Sequence, residues 1–412
     1  MQLSRDEFSS LMDCLPDVAK RLCVAVSGGA DSLALCLLAA DWAKDTGRTL
    51  IALSVDHGLR LESASECQWV QDVLHTQGIE HHILHWDGEK PQNGIQAAAR
   101  EARYGLLRAW CRANNVSDLL VAHHQDDQAE TFLLRLARGS GVDGLCAMTA
   151  VSYYDDLRLL RPLLDIPKQR LSASLRARGQ DWIEDPSNEN EAFERVKIRQ
   201  SMDGLAAIGL TPARLSQTAQ AMQRAARPLK RLTTDWLLTH VKFYDEGYCL
   251  VARNGLQDDD EEILLRALRR IGMALSGESY PPRFDRLQRL SDCIMQGKGA
   301  TLMGCRWIVR EKDILVCREI RNLDVPQNLY RIDKRHSSTG VSLRILGQEG
   351  WTQVLQSEGW SRDVQLPKPV IYALFSFWDD GGVLAVPHLN YQRAGTNFQA
   401  QLTPLAKNRL FS

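Results

Sequence analysis

Apolar and polar residues follow two alternating rhythms over the first 180 or so positions. Short apolar runs with the composition of buried strands occupy Leu22 to Val26, Thr49 to Asp56, Glu80 to Trp86, Leu119 to Ala122 and Arg158 to Arg161. Between them, Ser32 to Ala43, Glu62 to Gly78, Ile95 to Asn115, Asp126 to Arg138 and Ile166 to Arg178 carry apolar residues at helical spacing. Strand and helix in strict alternation predict an α/β fold, a doubly wound parallel sheet with helices on both faces and function at the carboxyl ends of its strands. Three polar segments fall at such ends: Ser27 to Ser32, Asp56 to Arg60 and His123 to Glu130.

Beyond about Arg199 the rhythm changes. Leu205 to His240, Asp258 to Gly272 and Pro282 to Met295 read as helices, and Thr301 to Cys317 alternates like a hairpin turning at Glu311 to Asp313. Residues 321–340 are polar and of mixed charge, like a linker, and short apolar runs follow around Asp379-Asp-Gly-Gly382. The expected division is a catalytic α/β domain over 1–204, a mainly helical domain over 205–320 and a small β-rich domain over 335–412. No internal repeat or low-complexity tract interrupts it.

Composition narrows the setting. Lys plus Arg number 50 against 51 for Asp plus Glu, so net charge gives no hint of a polyanionic partner and any such hint has to be local. The ten cysteines include no Cys-x-x-Cys pair, which argues for buried thiols in a reducing compartment rather than a disulfide frame or a structural zinc. The first residues lack the basic and apolar regions of a signal peptide, and no apolar stretch approaches ~18 residues. A cytoplasmic protein without membrane association is expected.

The candidate chemistry begins at Ser27-Gly28-Gly29-Ala30-Asp31-Ser32, a turn directly between strand and helix. Such a turn aims the free N–H groups of a first helical turn at its contents, and the helix dipole favours an anion there. Gly28 and Gly29 permit close approach, Ser27 and Ser32 add hydroxyls, and Asp31 makes sense beside phosphate if a Mg²⁺ lies between them. The plainer alternative is a glycine turn with Asp31 or Ser32 as helix cap. It is not a Walker A loop, since no Gly-Lys-Ser/Thr follows. In His123-His-Gln-Asp-Asp-Gln-Ala-Glu-Thr131, Asp127 and Glu130 share a helical face, although acids in a first turn are also ordinary dipole complements. Asp56 and His57 stand where an adenosine would lie, or simply in an Asp-containing turn. Arg100 and Arg103 are either a phosphate fork or solvated charges. Gly139-Ser-Gly-Val-Asp-Gly144 matches a dinucleotide fingerprint but follows a helix, so it lacks the required context. From Arg195 to Arg231 there are eight basic residues, Arg195, Arg199, Lys230 and Arg231 among them, and one acid, Asp203. Helices so charged suit a phosphate backbone, or present a solvated face.

The loop resembles that of the ATP-pyrophosphatase superfamily. Taken together, Ser27 to Ser32, Val55 to Arg60, Ala99 to Tyr104, His123 to Gly139, Arg161-Pro-Leu-Leu and Trp182 to Asn188 followed by Arg195 to Arg199 resemble the bacterial tRNA(Ile)-lysidine synthetases over roughly the first 200 residues. The resemblance implies that ATP and Mg²⁺ serve to adenylate the wobble cytidine of a tRNA(Ile) with a CAU anticodon, after which L-lysine displaces AMP. It implies ATP at Ser27 to Ser32, Asp56 and His57, and Mg²⁺ on Asp31. Arg103 would attend the leaving pyrophosphate, Asp127 and Glu130 would bind and deprotonate lysine with His123 orienting, and Arg195, Arg199, Lys230 and Arg231 would meet tRNA. A sulfur-transferring tRNA thiolase is disfavoured by the missing Cys-x-x-Cys pairs, and a tRNA-binding protein with a dead nucleotide fold would leave the intact loop unexplained. The oligomeric state stays open, a homodimer being one option.

Overall fold

A computed structural model of the 412-residue chain describes all residues except 60–61, 88–89, 92–93, 155, 185–193, 257–259, 279, 321–329, 335–339, 358–363, 397, 399, 405–409 and 411–412. The chain divides into two units, residues 1–226 and 227–412.

The first unit runs α1 (Arg5–Asp13), β1 (Arg21–Ala25), α2 (Ala30–Asp45), β2 (Thr49–Asp56), α3 (Ser63–Thr76), β3 (Glu80–His85), α4 (Ile95–Ala113), β4 (Asp118–Leu120), α5 (Gln125–Ala137), α6 (Val142–Leu145), β5 (Val151–Tyr154), β6 (Leu157–Leu160), α7 (Lys168–Ala177) and α8 (Glu194–Ala207). Its sheet has the order β3-β2-β1-β4-β6-β5, parallel throughout except at the β5 edge. The expected α/β class holds. The departure from it is β5, an antiparallel edge strand whose half-exposed residues give no buried-strand signal.

Residues alternate between two cores because successive side chains of a strand point to opposite faces. Leu22 and Val24 of β1 pack with Leu33, Leu35 and Leu37 of α2 and with Leu171 and Leu175 of α7. Cys23 of β1 and Ile51 and Leu53 of β2 turn the other way, against Tyr104, Leu107 and Cys111 of α4. The chain winds outward from β1 through β2 to β3, then α4 carries it back to β4 on the other side of β1. That reversal opens a crevice between the carboxyl ends of β1 and β4, the position where open α/β sheets bind ligands. At the opposite end, fully buried Asp118 accepts from the Ala19 N–H at 2.8 Å and from Arg158 Nε and Nη2 at 2.8 and 2.7 Å. Arg158 also donates to the carbonyls of Pro16 and Asp17, tying the segment before β1 to β4 and β6.

Helix α9 (Pro212–His240) leads into the second unit. The expected single helix over Leu205 to His240 is therefore two. Gly209, at φ 91°, ends the first, and Pro212 opens the second. Then come β7 (Val241–Tyr244), β8 (Tyr248–Ala252), α10 (Glu261–Ser276), α11 (Phe284–Met295), β9 (Ala300–Leu302), β10 (Cys305–Val309), β11 (Asp313–Arg318), β12 (Tyr330–Lys334), β13 (Ser342–Ile345), α12 (Gly347–Gln356), α13 (Lys368–Ala373), β14 (Phe375–Asp379), β15 (Gly382–Val386), β16 (Tyr391–Gln392) and β17 (Ala400–Pro404). The expected hairpin is β10 and β11, inside a five-stranded antiparallel sheet ordered β7-β8-β11-β10-β9. Ile314 and Val316 of β11 face the apolar sides of α10 and α11, while Leu315 and Cys317 face a core shared with α12, α13 and the sheet β13-β14-β15-β16. The expected linker over 321–340 lies largely outside the described residues, but 330–334 form β12, which pairs with β17. Among the described residues no helix is long and apolar enough to cross a membrane.

Asp118→Ala should destabilise the protein by about 1–3 kcal/mol, because it removes a fully buried acceptor from the Ala19 N–H and from Arg158, which keeps only the Pro16 and Asp17 carbonyls. Denaturant unfolding of the variant checks this; a change under ~0.5 kcal/mol would make the pair dispensable.

Candidate active site at the head of the sheet

The turn after β1 is shaped by its neighbours. Val26 donates to the Leu53 carbonyl at 2.9 Å, and its own carbonyl accepts the Ser54 hydroxyl at 2.7 Å. His81 Nε2 lies 2.8 Å from the same Ser54 oxygen, so a histidine on β3 braces the strand end that launches the turn. Gly28 has φ +84°, and a Cβ there would lie 2.7 Å from Ile183 Cδ1 and 3.0 Å from Val70 Cγ2. Only glycine fits. Gly29 differs, since its φ is −70° and a Cβ would meet nothing closer than 3.7 Å. Helix α2 then begins at Ala30 with no side chain capping it, leaving first-turn N–H groups directed into the turn. The Ser32 hydroxyl donates to the Gly29 carbonyl, accepts from the Ser27 N–H, and lies 3.1 Å from the Ser27 hydroxyl. Buried Ser32 therefore braces the turn, whereas Ser27 is exposed.

The segment after β4 divides its labour residue by residue. Asp126 accepts from Lys168 N at 3.0 Å, capping α7, and Asp127 accepts from His124 N at 3.0 Å, capping its own helix α5. Gln128 clamps both backbone groups of Met148 at 2.8 Å, and Ala129 packs on Leu215 and Ala219 of α9. Glu130, 2% exposed, receives Arg199 Nε and Nη2 of α8 at 2.9 and 2.8 Å on Oε1, while buried Oε2 has no hydrogen-bond partner among the described residues. Burial raises the pKa of Glu130, and the Arg199 charge only partly offsets it.

His124 joins the two halves. Its Nε2 lies 3.4 Å from Asp31 Oδ2 and 3.4 Å from Asp127 Oδ2, and its Nδ1 lies 3.6 Å from Asp126 Oδ2. Burial alone would lower its pKa, but the Asp31 hydrogen bond and the charges of Asp127, Asp31 and Asp126 overcome that and raise it. Asp31 Oδ1 is buried and has no partner among the described residues. A divalent cation fits there through one carboxylate and phosphate oxygens, the arrangement magnesium favours. No three His, Cys, Asp or Glu side chains among the described residues form a complete metal cage.

His123 faces another way. Arg161 Nε donates to its Nδ1 at 3.2 Å, and burial together with the Arg161, Arg100 and Arg195 charges pulls its pKa down to about 4 against Asp127. After β2, Asp56 accepts from Gly58 N at 2.8 Å in an Asx turn. Burial pushes its pKa up, but Gly58, Ser63 and His85 prevail and leave it lowered. Exposed Arg103 donates to His57 Nε2 at 3.2 Å, and burial and this charge take His57 down to about 4. Arg60 and residues 185–193 of the motif segments lie outside the described residues. Arg195 is exposed on α8, and Lys230 and Arg231 are exposed on α9 within the second unit. Two residues at this site escaped sequence reasoning, His124 and Arg161. His124 was visible only as half of a His-His pair; Arg161 was visible only as part of a motif.

An uncapped helix N-terminus behind a glycine turn, at the point where strand order reverses, is the ground plan of a nucleotide-binding α/β domain, and residues 3–206 match the family described as a PP-loop domain. A tRNA(Ile)-lysidine synthase of Wolbachia pipientis is 36% identical over 390 residues, which are 92% of this chain and 90% of that protein. One of Ruegeria pomeroyi is 37% identical over 383 residues, 89% and 88% of the two chains, and one of a Bradyrhizobium species is 48% identical over 206 residues, 50% and 58%. This chain belongs to the tRNA(Ile)-lysidine synthase family, and so is an ATP-using ligase.

Gly28→Ala should cost about 1–3 kcal/mol through its positive φ and the Ile183 contact. Gly29→Ala should leave stability unchanged or raise it by about 0.4–1 kcal/mol, since its backbone suits alanine. Chemical denaturation of both variants tests the contrast, and equal losses would refute it.

Proposed function

We propose that this chain adenylates the C2 oxygen of the wobble cytidine in a tRNA(Ile) with a CAU anticodon and then joins L-lysine to C2, releasing first pyrophosphate and then AMP. The names of its relatives supply the substrate class, and the geometry of Glu130 is the observation that best supports the second step. A buried carboxylate with one oxygen fixed by Arg199 and the other unpartnered, one helical turn from Asp127, suits an incoming ammonium. ATP phosphates would rest on the α2 N-terminus, with the adenosine near Asp56 and His57. Mg²⁺ on Asp31 would neutralise charge as pyrophosphate leaves. Arg103 would add a donor to the departing oxygens, and His123 would help orient the reacting groups.

In the second step the lysine amine attacks C2, the bond from C2 to the adenylate oxygen breaks, and AMP leaves with the electron pair. The amine's proton passes to Asp127 or Glu130. Residues 1–204 would carry the chemistry, and residues 205–320 and 335–412 would hold the tRNA body; Lys230 and Arg231, and separately Arg195, would meet its phosphates, whereas the expected tRNA contact of Arg199 gives way to its ion pair with Glu130. Such a reaction belongs in the cytoplasm, where charged and uncharged tRNA circulate.

Incubation with ATP, labelled lysine and total tRNA should put label into one tRNA species; label in none would sink the reading. Glu130→Gln should still release pyrophosphate in a tRNA-dependent manner yet transfer lysine about 10²–10⁴-fold more slowly, the range for a lost proton acceptor. Equal loss of both half-reactions would move Glu130 to the ATP site. Charge reversal at Lys230 and Arg231 should weaken tRNA binding and flatten its log–log salt dependence by roughly 1 per lost phosphate contact. An unchanged slope would leave both residues as solvated surface charge.

A further inference from the structure

Arg161 is 8% exposed and directly follows β6. Its Nη1 donates to the Thr149 carbonyl at 3.0 Å and the Ser152 hydroxyl at 2.9 Å, and its Nε donates to His123 Nδ1 at 3.2 Å. A guanidinium is a donor only and does not lose its proton in proteins. His123 Nδ1 must therefore offer its lone pair, and the one proton of the neutral ring resides on Nε2. The groups acting on the ring are Arg161, Arg100 and Arg195 on one side and Asp127 on the other, with burial added to the cations. The ring is neutral at physiological pH.

We infer that Arg161 is a positioning residue that fixes His123 as a neutral imidazole presenting Nε2–H, so that His123 serves the reaction as a hydrogen-bond donor and not as a proton acceptor. The inference deepens the proposed function and rests on it for the reaction, but not for the tautomer. With Nδ1 occupied by Arg161 and Nε2 already protonated, the ring has no lone pair for the lysine proton. That proton goes to a carboxylate, and the C2–N bond forms as the C2–O bond to AMP breaks without a proton passing through His123. An Nε2–H held by a fixed cation on the far side of the ring is a pre-organised donor to a substrate oxygen that gains charge.

The test uses the full chain with ¹⁵N-labelled histidine, read by long-range imidazole NMR without substrates. His123 should show protonated Nε2 and bare Nδ1, and should stay neutral down to about pH 5, well below the ordinary 6.5. Arg161→Met should mix the tautomers and let the ring titrate near neutrality. Its lysine-transfer rate should then vary between pH 7.5 and 6 as the ring takes up a proton, where the native enzyme's rate should not respond to this ring. Arg161→Gln keeps an N–H donor and should restore the tautomer, which separates positioning from loss of fold. His123→Gln, whose amide N–H stands near Nε2, should slow lysine transfer by at most about 10-fold, against about 10² for His123→Leu. A native Nδ1–H tautomer, an Arg161→Met protein with native tautomer and pH profile, or His123→Gln as slow as His123→Leu would each overturn the inference. Failure of the native chain to incorporate lysine would overturn the functional reading instead and leave the tautomer result standing.

Discussion

The first unit depends on one buried imidazole held among three carboxylates. His124 leans on Asp31 from the N-terminus of α2 and on Asp126 and Asp127 from the N-terminus of α5. Two helix N-termini, each bearing acids that complement its dipole, converge on one crevice. Without a cation among them, those acids would repel one another in a poorly solvated place. Burial, which lowers the His124 pKa, is outweighed by the Asp31 hydrogen bond and the three carboxylates, which raise it; this favours a proton on the ring and eases that repulsion, so the contact joins loop to helix. Removing the ring would release the registration of the two elements as well as one ion pair.

That registration is available because of the strand order. Had the chain continued outward from β3, the two helices would start on the same side of β1 and share no opening. The return through α4 places β4 against β1, and the ends of both strands then point their loops into one crevice. The same pairing sets the opposite rim. There Asp118 and Arg158 fasten β4, β6 and the approach to β1, so stability and chemistry are segregated to the two ends of one sheet.

Strand and helix were legible because buried parallel strands are short apolar runs and the helices between them keep a 3.6-residue period. The edge strand β5 was not, since its residues are half-exposed and only its antiparallel partner defines it. The glycine turn was legible in Gly28, whose positive φ and contact with Ile183 admit no other residue. The charge partners were not. Arg199 lies 69 positions from Glu130 and Arg161 38 from His123, separations that no local period encodes. Within Asp126 to Glu130 the sequence pairs Asp127 with Glu130 on one helical face, and only tertiary contacts separate the two helix caps, Asp126 and Asp127, from the buried acid facing Arg199.

The difference between those acids bears directly on proton transfer. A carboxylate in water is far too weak a base to draw a proton from an alkylammonium, so the acceptor must be strengthened or the amine weakened. Burial of Glu130 strengthens it, because desolvation disfavours its charged form, while the Arg199 charge opposes part of that rise. A lysine ammonium bound beside Glu130, as proposed, would be weakened by the same physics, since burial disfavours that charge too. The two shifts would narrow the gap from opposite ends, and the Arg199 charge would push the ammonium further toward the neutral amine. His123, held neutral by Arg161, adds no competing acceptor. In the proposed reaction, half-exposed Arg199 would bias the proton toward the carboxylate by its charge, and buried Arg161 would do so by occupying the alternative lone pair on His123.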